Sequence, residues 1–256
     1  MPRLSALIVA HNEEANLAAC LATVRFCDEI LVVLDRCTDG SAAIARAAAD
    51  RVIEGAWPLE GPRRNDGIAA CSGEWIFELD ADERATPELA AEIRAALATA
   101  QFGRFIVPVA NHIGGRLVRY GWGAYNGVAA KPILFAKGAK IWGNQPVHPK
   151  LDLSGAERWL TNPILHYVDR DFADMMDRLN RYSSAHAEDL IASGRIGSLA
   201  GNVRRFFTRS WKSYVQRKGY REGVTGLMLA LFSGLYPLLS YLKARERLQS
   251  EQRESP

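Results

Sequence analysis

Short apolar runs alternate with stretches of helical spacing through the first hundred residues, and that alternation constrains the fold more than any other feature. Residues 4–10, 29–34, 51–53 and 75–79 read as strands, and residues 13–25, 40–49, 63–72 and 86–99 as helices. Strands separated by helices of about ten residues imply βαβ units and a parallel sheet. The strands are apolar almost throughout, as expected when both faces of a sheet are covered. Thr86-Pro87 opens the last helix with a capping hydroxyl and a proline at the first helical position.

In such sheets ligands bind beyond the C-terminal ends of the strands. His11-Asn12-Glu13 follows the first strand, Asp35 the second and Asp80 the fourth, so all three groups are expected on one rim. Asp80-Ala81-Asp82 places two carboxylates two residues apart just past a buried strand. Both can reach one hard divalent cation, Mg²⁺ or Mn²⁺, which prefers oxygen donors and shares its shell with phosphates. Asp80 and Asp82 are therefore the candidate metal ligands. In isolation the same pair also reads as a solvated loop or a helix cap.

Beyond residue 100 the pattern changes. Residues 103–110, 128–142 and 163–168 look strand-like, interrupted by Gly114-Gly115 and Gly121-Trp122-Gly123. Residues 171–192 are helical, residues 198–218 form a basic amphipathic helix, and residues 223–242 carry no charge. The expected organisation is one α/β domain over 1–168, whose two halves divide at about residue 100. A helical extension over 169–256 follows. The formal net charge of +3 conceals an asymmetry: residues 201–249 hold ten Lys or Arg against two acids. That segment should face an anionic membrane surface. The uncharged run reads as an interfacial anchor, a single span, or a helix packed on the domain. The adjoining apolar run suits lipid better than nucleic acid, and no nucleic-acid partner is expected.

Cys20, Cys27, Cys37 and Cys71 form no CxxC pair and read as reduced thiols. Met1-Pro2-Arg3 leads straight into a strand, so no secretory signal is expected. The expected location is cytoplasmic, peripheral on the inner face of the cell membrane.

The order of motifs resembles glycosyltransferase family 2, most of all the branch acting on lipopolysaccharide core and related cell-envelope glycans. The resemblance rests on Ala10-His11-Asn12-Glu13-Glu14, Cys27-Asp28-Glu29-Ile30, Asp35-Arg36-Cys37-Thr38-Asp39-Gly40, Arg64-Asn65 and Glu74 through Arg84. His166-Tyr167, Asn180 through Ser184 and the tail from Tyr214 to Leu242 also match, so it covers most of the chain. It implies a GT-A-type fold over 1–168, with a nucleotide-sugar half to about residue 100 and an acceptor half after it, a nucleoside-diphosphate sugar donor with UDP preferred, transfer with inversion, and a glycan or glycolipid acceptor. By its pattern Asn12, Glu13, Asp35 and Asp39 line the nucleotide pocket, with Arg64 and Asp80 near the diphosphate. The same residues have blander readings: Asn12 and Glu13 as caps, Asp39-Gly40 as a turn, Arg64 as an ion-pair partner.

Two positions depart from the family pattern. Cys37 stands where a Ser is usual, and Pro149 follows His148 where the related branch commonly has a Glu that is a candidate base. Inverting transfer needs a group to take the acceptor's proton. His148, Asp152 and Glu83 are the candidates, His148 first, since an imidazole titrates near ~6.5. His166 reads as structural. Trp122, Tyr125 and Trp142 read as core aromatics, with stacking on an acceptor sugar as the second reading. A nucleotidyltransferase and a non-catalytic nucleotide-sugar-binding module are the competing functions.

Overall fold

The structure is a computed structural model describing residues 1–123, 127–145 and 149–254. The chain forms two compact units: Met1–Ala110 with Ala129–Tyr167, and Asn111–Val128 with Val168–Pro256.

In the first unit β1 (Leu4–Ala10), β2 (Glu29–Asp35), β3 (Arg51–Gly55) and β4 (Trp75–Asp80) lie parallel in the order β3-β2-β1-β4. Every residue of β1 and β2 is buried, as their unbroken apolar runs require. Their crossovers run through α1 (Glu14–Thr23), α2 (Ser41–Ala48) and α3 (Glu60–Ala70). Next come β5 (Glu83–Arg84) and α4 (Pro87–Leu97), where the Thr86 side chain accepts a hydrogen bond from Leu89 N as its cap position demands.

Beyond β4 the sheet turns antiparallel. The long strand β6 (Gly103–Ile113) and β7 (Arg116–Leu117) precede β8 (Ala130–Ala136), which inserts between β4 and β6 and runs against both. β9 (Lys140–Trp142) and β10 (Leu151–Leu153) make a small antiparallel pair, β11 (Ala156–Trp159) runs beside β6, and β12 (Ile164–Asp169) pairs with β5. The sheet is thus mixed: parallel through β3-β2-β1-β4, antiparallel around β8, with β11 parallel to β6. The first unit's core is built from Leu7, Ile8, Leu31, Val32, Phe77 and Phe135 with helix residues such as Leu17 and Leu89.

The second unit is mainly helical. It contains α5 (Phe172–Ala192), α6 (Leu199–Trp211) and α7 (Gly223–Glu254), with a π-helical turn at Lys212–Gln216 and a 3₁₀ turn at Gly219–Glu222. Asp171 caps α5 by accepting from Asp174 N. The excursion Asn111–Val128 belongs to this unit: Arg116 pairs with Glu222, whose carboxylate also accepts from Arg119 N and Tyr120 N. Trp122 donates to Val118 O and packs against the local core of Val118, Met175, Leu229 and Phe232. The uncharged run lies inside α7, which is long and apolar enough to cross a membrane, although half of its apolar window is buried.

Candidate active site

β4 alternates its side chains, so Glu78 and Asp80 share one face. Arg64 projects from α3 onto that face and spans them, with NH1 2.9 Å from Glu78 and NH2 2.7 Å from Asp80. Its Nε meets Glu60 at 2.8 Å, and its guanidinium lies 4.7 Å from the centre of the Trp142 ring. From β9, Lys140 reaches Glu78 at 2.6 Å and lies 4.6 Å from the same ring. Lys131 of β8 bridges Asp80 at 3.2 Å and Glu83 at 2.6 Å. Asp80 therefore has a cation on each oxygen. Burial alone would raise its pKa, but Arg64 and Lys131 outweigh that and hold it far below the usual carboxylate range. Glu83 is also buried, and there burial, reinforced by Asp80, pushes the carboxyl up.

The β5–β12 pairing sets His166 opposite Glu83 and brings its Nε2 to 3.3 Å from Asp82 Oδ2. Burial would lower the imidazole's pKa, but Asp82 prevails and raises it. The other oxygen, Asp82 Oδ1, is buried and has no hydrogen-bond partner among the described residues. A buried carboxylate oxygen is costly to leave unpaired, so this atom is an open donor position.

The expected convergence of the strand ends is present at Glu13. Its carboxyl is raised by burial and by the nearby charges of Asp82, Asp80 and Asp39. Around it the loops after β1 and β2 are tied together. Asn12 Oδ1 accepts from Thr38 N at 2.8 Å, and Asp39 accepts from Glu14 N and Ser41 N at 3.0 Å each. Asn12 itself adopts a φ of 56°, a left-handed conformation that asparagine tolerates. Asn12 and Asp39 thus shape the loops as caps and turns. Asp35 is buried under a bidentate pair with Arg36, an ion pair with Arg63 at 3.0 Å and a hydrogen bond from Trp57 N at 3.1 Å.

Other expected residues fall elsewhere. Asp152 does not join the cluster. It pairs with Ile141 on the exposed face of β9–β10, whereas Lys140 and Trp142 point to the opposite face. His148 and Tyr125 lie outside the described residues. Lys131, Lys140 and Glu78 were not anticipated. Glu78 had a signal, since it shares strand parity with Asp80, but the lysines belong to no motif. His166, expected to be structural, contacts Asp82 directly.

Tested against a divalent cation, this arrangement fits a shared site. Among the described residues no cluster of three His, Cys, Asp or Glu is arranged to hold a metal unaided. Mg²⁺ and Mn²⁺ are commonly held by one or two carboxylates with substrate phosphates completing the shell. Asp82 Oδ1 offers the open oxygen, with Asp80 and His166 beside it.

The glycosyl transferase family 2 model matches residues 5–142, just over half the chain. The chain belongs to glycosyl transferase family 2. This family 2 glycosyltransferase is 26% identical over 268 residues to the lipopolysaccharide core biosynthesis glycosyltransferase LpsC of Rhizobium meliloti (strain 1021), covering 95% of this chain and 92% of that one. It is also 26% identical over 271 residues to an uncharacterised glycosyltransferase of Rickettsia felis, covering 97% and 91%. Among solved structures it is similar to glucosyl-3-phosphoglycerate synthase from Mycobacterium tuberculosis in complex with Mn²⁺, UDP and glucosyl-3-phosphoglycerate. That match has 22% identity and a TM-score of 0.37, over 43% of this chain and 44% of that one. The architecture is GT-A, and membership of the family displaces the nucleotidyltransferase reading.

Proposed function

We propose that this glycosyltransferase moves a sugar, with inversion, from a nucleoside-diphosphate sugar, UDP-linked by preference, to a hydroxyl of a cell-envelope glycan or lipid-linked acceptor. The reaction takes place at the cytoplasmic face of the cell membrane. The observation carrying the proposal is the buried, unpartnered Asp82 Oδ1 beside an Asp80 locked by Arg64 and Lys131. Asp82 and Asp80, with His166 adjoining, would hold Mg²⁺ or Mn²⁺. When bound, the ion neutralises charge developing on the departing diphosphate.

The chain's own groups supply the rest. Arg64 and Lys131 fix the Asp80 carboxylate and set cations near the diphosphate position. Asn12, Glu13 and Asp39 form the wall that would meet the base and ribose, with Asp35 bracing it from below. The acceptor oxygen attacks the anomeric carbon as the bond to the phosphate oxygen breaks. The bonding pair leaves with the diphosphate, and the hydroxyl proton passes to a base. His148 is the proposed base. Glu83 is buried and engaged by Lys131 and Asp80 N, and Asp152 faces outward. Trp142 lies over Arg64, and Gly143 N donates to Lys150 O at 2.8 Å.

A panel of nucleotide sugars with Mg²⁺ or Mn²⁺ tests this proposal, scored by nucleoside-diphosphate release with lipid-extract acceptors. Wild-type protein should release nucleoside diphosphate, whereas Asp82→Asn and His148→Ala should not. Tight nucleotide binding without turnover on any donor would replace this reading with a non-catalytic binding module.

A further inference from the structure

The second unit carries an apolar surface that sugar transfer does not use. Leu199, Val203, Phe207 and Trp211 recur every fourth residue along α6, and all four are exposed, Phe207 to 64% and Trp211 to 60%. Residues four apart share a helix face, so these form one row rather than scattered contacts. Val215, in the π-helical turn that follows, is exposed as well. A different face of α6 holds the helix in its unit. Asn202 is buried, and α7 approaches so closely that a Cβ on Gly234 would lie 2.6 Å from Phe206 O and 2.3 Å from Ser210 Oγ.

On the side away from α7 the rows next to the apolar one are cationic. Arg204 and Lys212 occupy the adjacent row and Arg205 the next, all exposed. From residue 190 to residue 221 the sequence holds eight Lys or Arg and no acid. A second copy of the chain would oppose this surface with the same positive charge. A nucleic-acid duplex would satisfy the cations and leave the apolar row in water. A bilayer containing anionic lipid satisfies both features.

We propose that α6 is an in-plane membrane anchor. Val203, Phe207 and Trp211 enter the acyl boundary, and Arg204, Arg205 and Lys212 lie at headgroup phosphates. The proposal deepens the membrane-face part of the function above and names its element. That element is not α7, the longest apolar segment, because Leu229, Phe232, Tyr236 and Ala244 are buried within the unit.

The test uses the full-length protein with phosphatidylcholine vesicles, with and without phosphatidylglycerol, read by co-sedimentation and by Trp emission. Wild-type protein should bind the anionic vesicles, release with salt, and shift its emission to the blue. Phe207→Ser/Trp211→Ser should weaken binding by about tenfold or more while leaving thermal unfolding unchanged, since both side chains are exposed. Arg204→Gln/Arg205→Gln/Lys212→Gln should remove the preference for anionic lipid. Equal binding by wild type and the double variant would overturn the proposal. So would a wild type that ignores vesicles and self-associates through Phe207 and Trp211, or binds RNA through them. Asp82→Asn separates the two readings: it should abolish sugar transfer and leave vesicle binding intact.

Discussion

Glu78→Gln should destabilise the sheet unit by about 3 kcal/mol. Glu78 and Lys140 are both almost wholly buried, their charged atoms 2.6 Å apart, and Arg64 NH1 lies 2.9 Å from the other Glu78 oxygen. Breaking such a pair from one side leaves a buried charge uncompensated, at a cost of about 3–5 kcal/mol. The lower end applies here. Gln still accepts from Arg64, and Lys140 retains Pro132 O at 3.1 Å and the faces of Phe135 and Trp142. For a chain of this size the loss corresponds to roughly 6–12 °C in Tm. Urea unfolding followed by Trp fluorescence gives the number. The decisive comparison adds Lys140→Met, which fills the same aromatic slot without charge. The double variant should be less destabilised than the two single losses together, because removing both charges costs far less than stranding one. Losses that simply add, to within about 0.5 kcal/mol, would refute the claim that this pair is an interdependent unit.

In metal-free buffer Asp82→Asn should leave Tm unchanged or higher, because Asp82 Oδ1 has no partner among the described residues and its neighbours Asp80, Glu83 and Glu13 are like charges. The same variant should lose any Tm increase produced by Mn²⁺; a retained increase would move the cation elsewhere. Gly61→Ala should cost about 1–3 kcal/mol and lower kcat. Its Cβ would lie 1.9 Å from Gly143 O, forcing the segment after Trp142 off α3, and unchanged stability would show that segment to be pliant. Glu29→Gln should cost about 2 kcal/mol near neutral pH, since the buried carboxylate accepts from Ser5 Oγ and from Ser72 N at 2.7 Å. Burial opposes ionisation of Glu29, yet those hydrogen bonds and Arg51 prevail and lower its pKa. Its contribution is therefore complete above the ordinary Glu pKa and lost as pH falls through the lowered folded value. A plot of Tm against pH should fall less steeply on the acid side for the variant, and parallel limbs would exclude Glu29 as a source of acid sensitivity.

The parallel half of the fold was legible because its signals are local. The strands β1 and β2 are largely apolar runs of strand length, Thr86 is a cap, and a βαβ chain places Asn12, Asp35 and Asp80 on one rim by topology alone. What escaped is non-local. Lys131 meets Asp80 across 51 positions, Lys140 meets Glu78 across 62, and His166 meets Asp82 across 84. A lysine in a strand carries no mark of an acid waiting in another strand. The orientation of Asp152 is non-local too: it depends on the β9–β10 register, which turns it outward with Ile141. Residues 223–242 were ambiguous because an uncharged helix looks the same in sequence whether protein or lipid covers it; in α7 half of the apolar window is buried.

Five carboxylates, Glu60, Glu78, Asp80, Asp82 and Glu83, are linked through one cluster by three permanent cations, Arg64, Lys131 and Lys140. The imbalance is concentrated at one end. Glu78 is matched by Arg64 and Lys140, and Asp80 by Arg64 and Lys131, whereas among the described residues Asp82 has only the imidazole of His166. In a buried environment such an excess is strongly felt, since little water screens it. A diphosphate entering alone would add like charge beside Asp82, and a divalent cation entering alone would lack most of its oxygen shell. Together they cancel much of each other's cost. The lysines and Arg64 thus do more than neutralise acids: by saturating Glu78 and Asp80 they leave Asp82 as the point of surplus negative charge, where the proposed cation and its phosphate would settle.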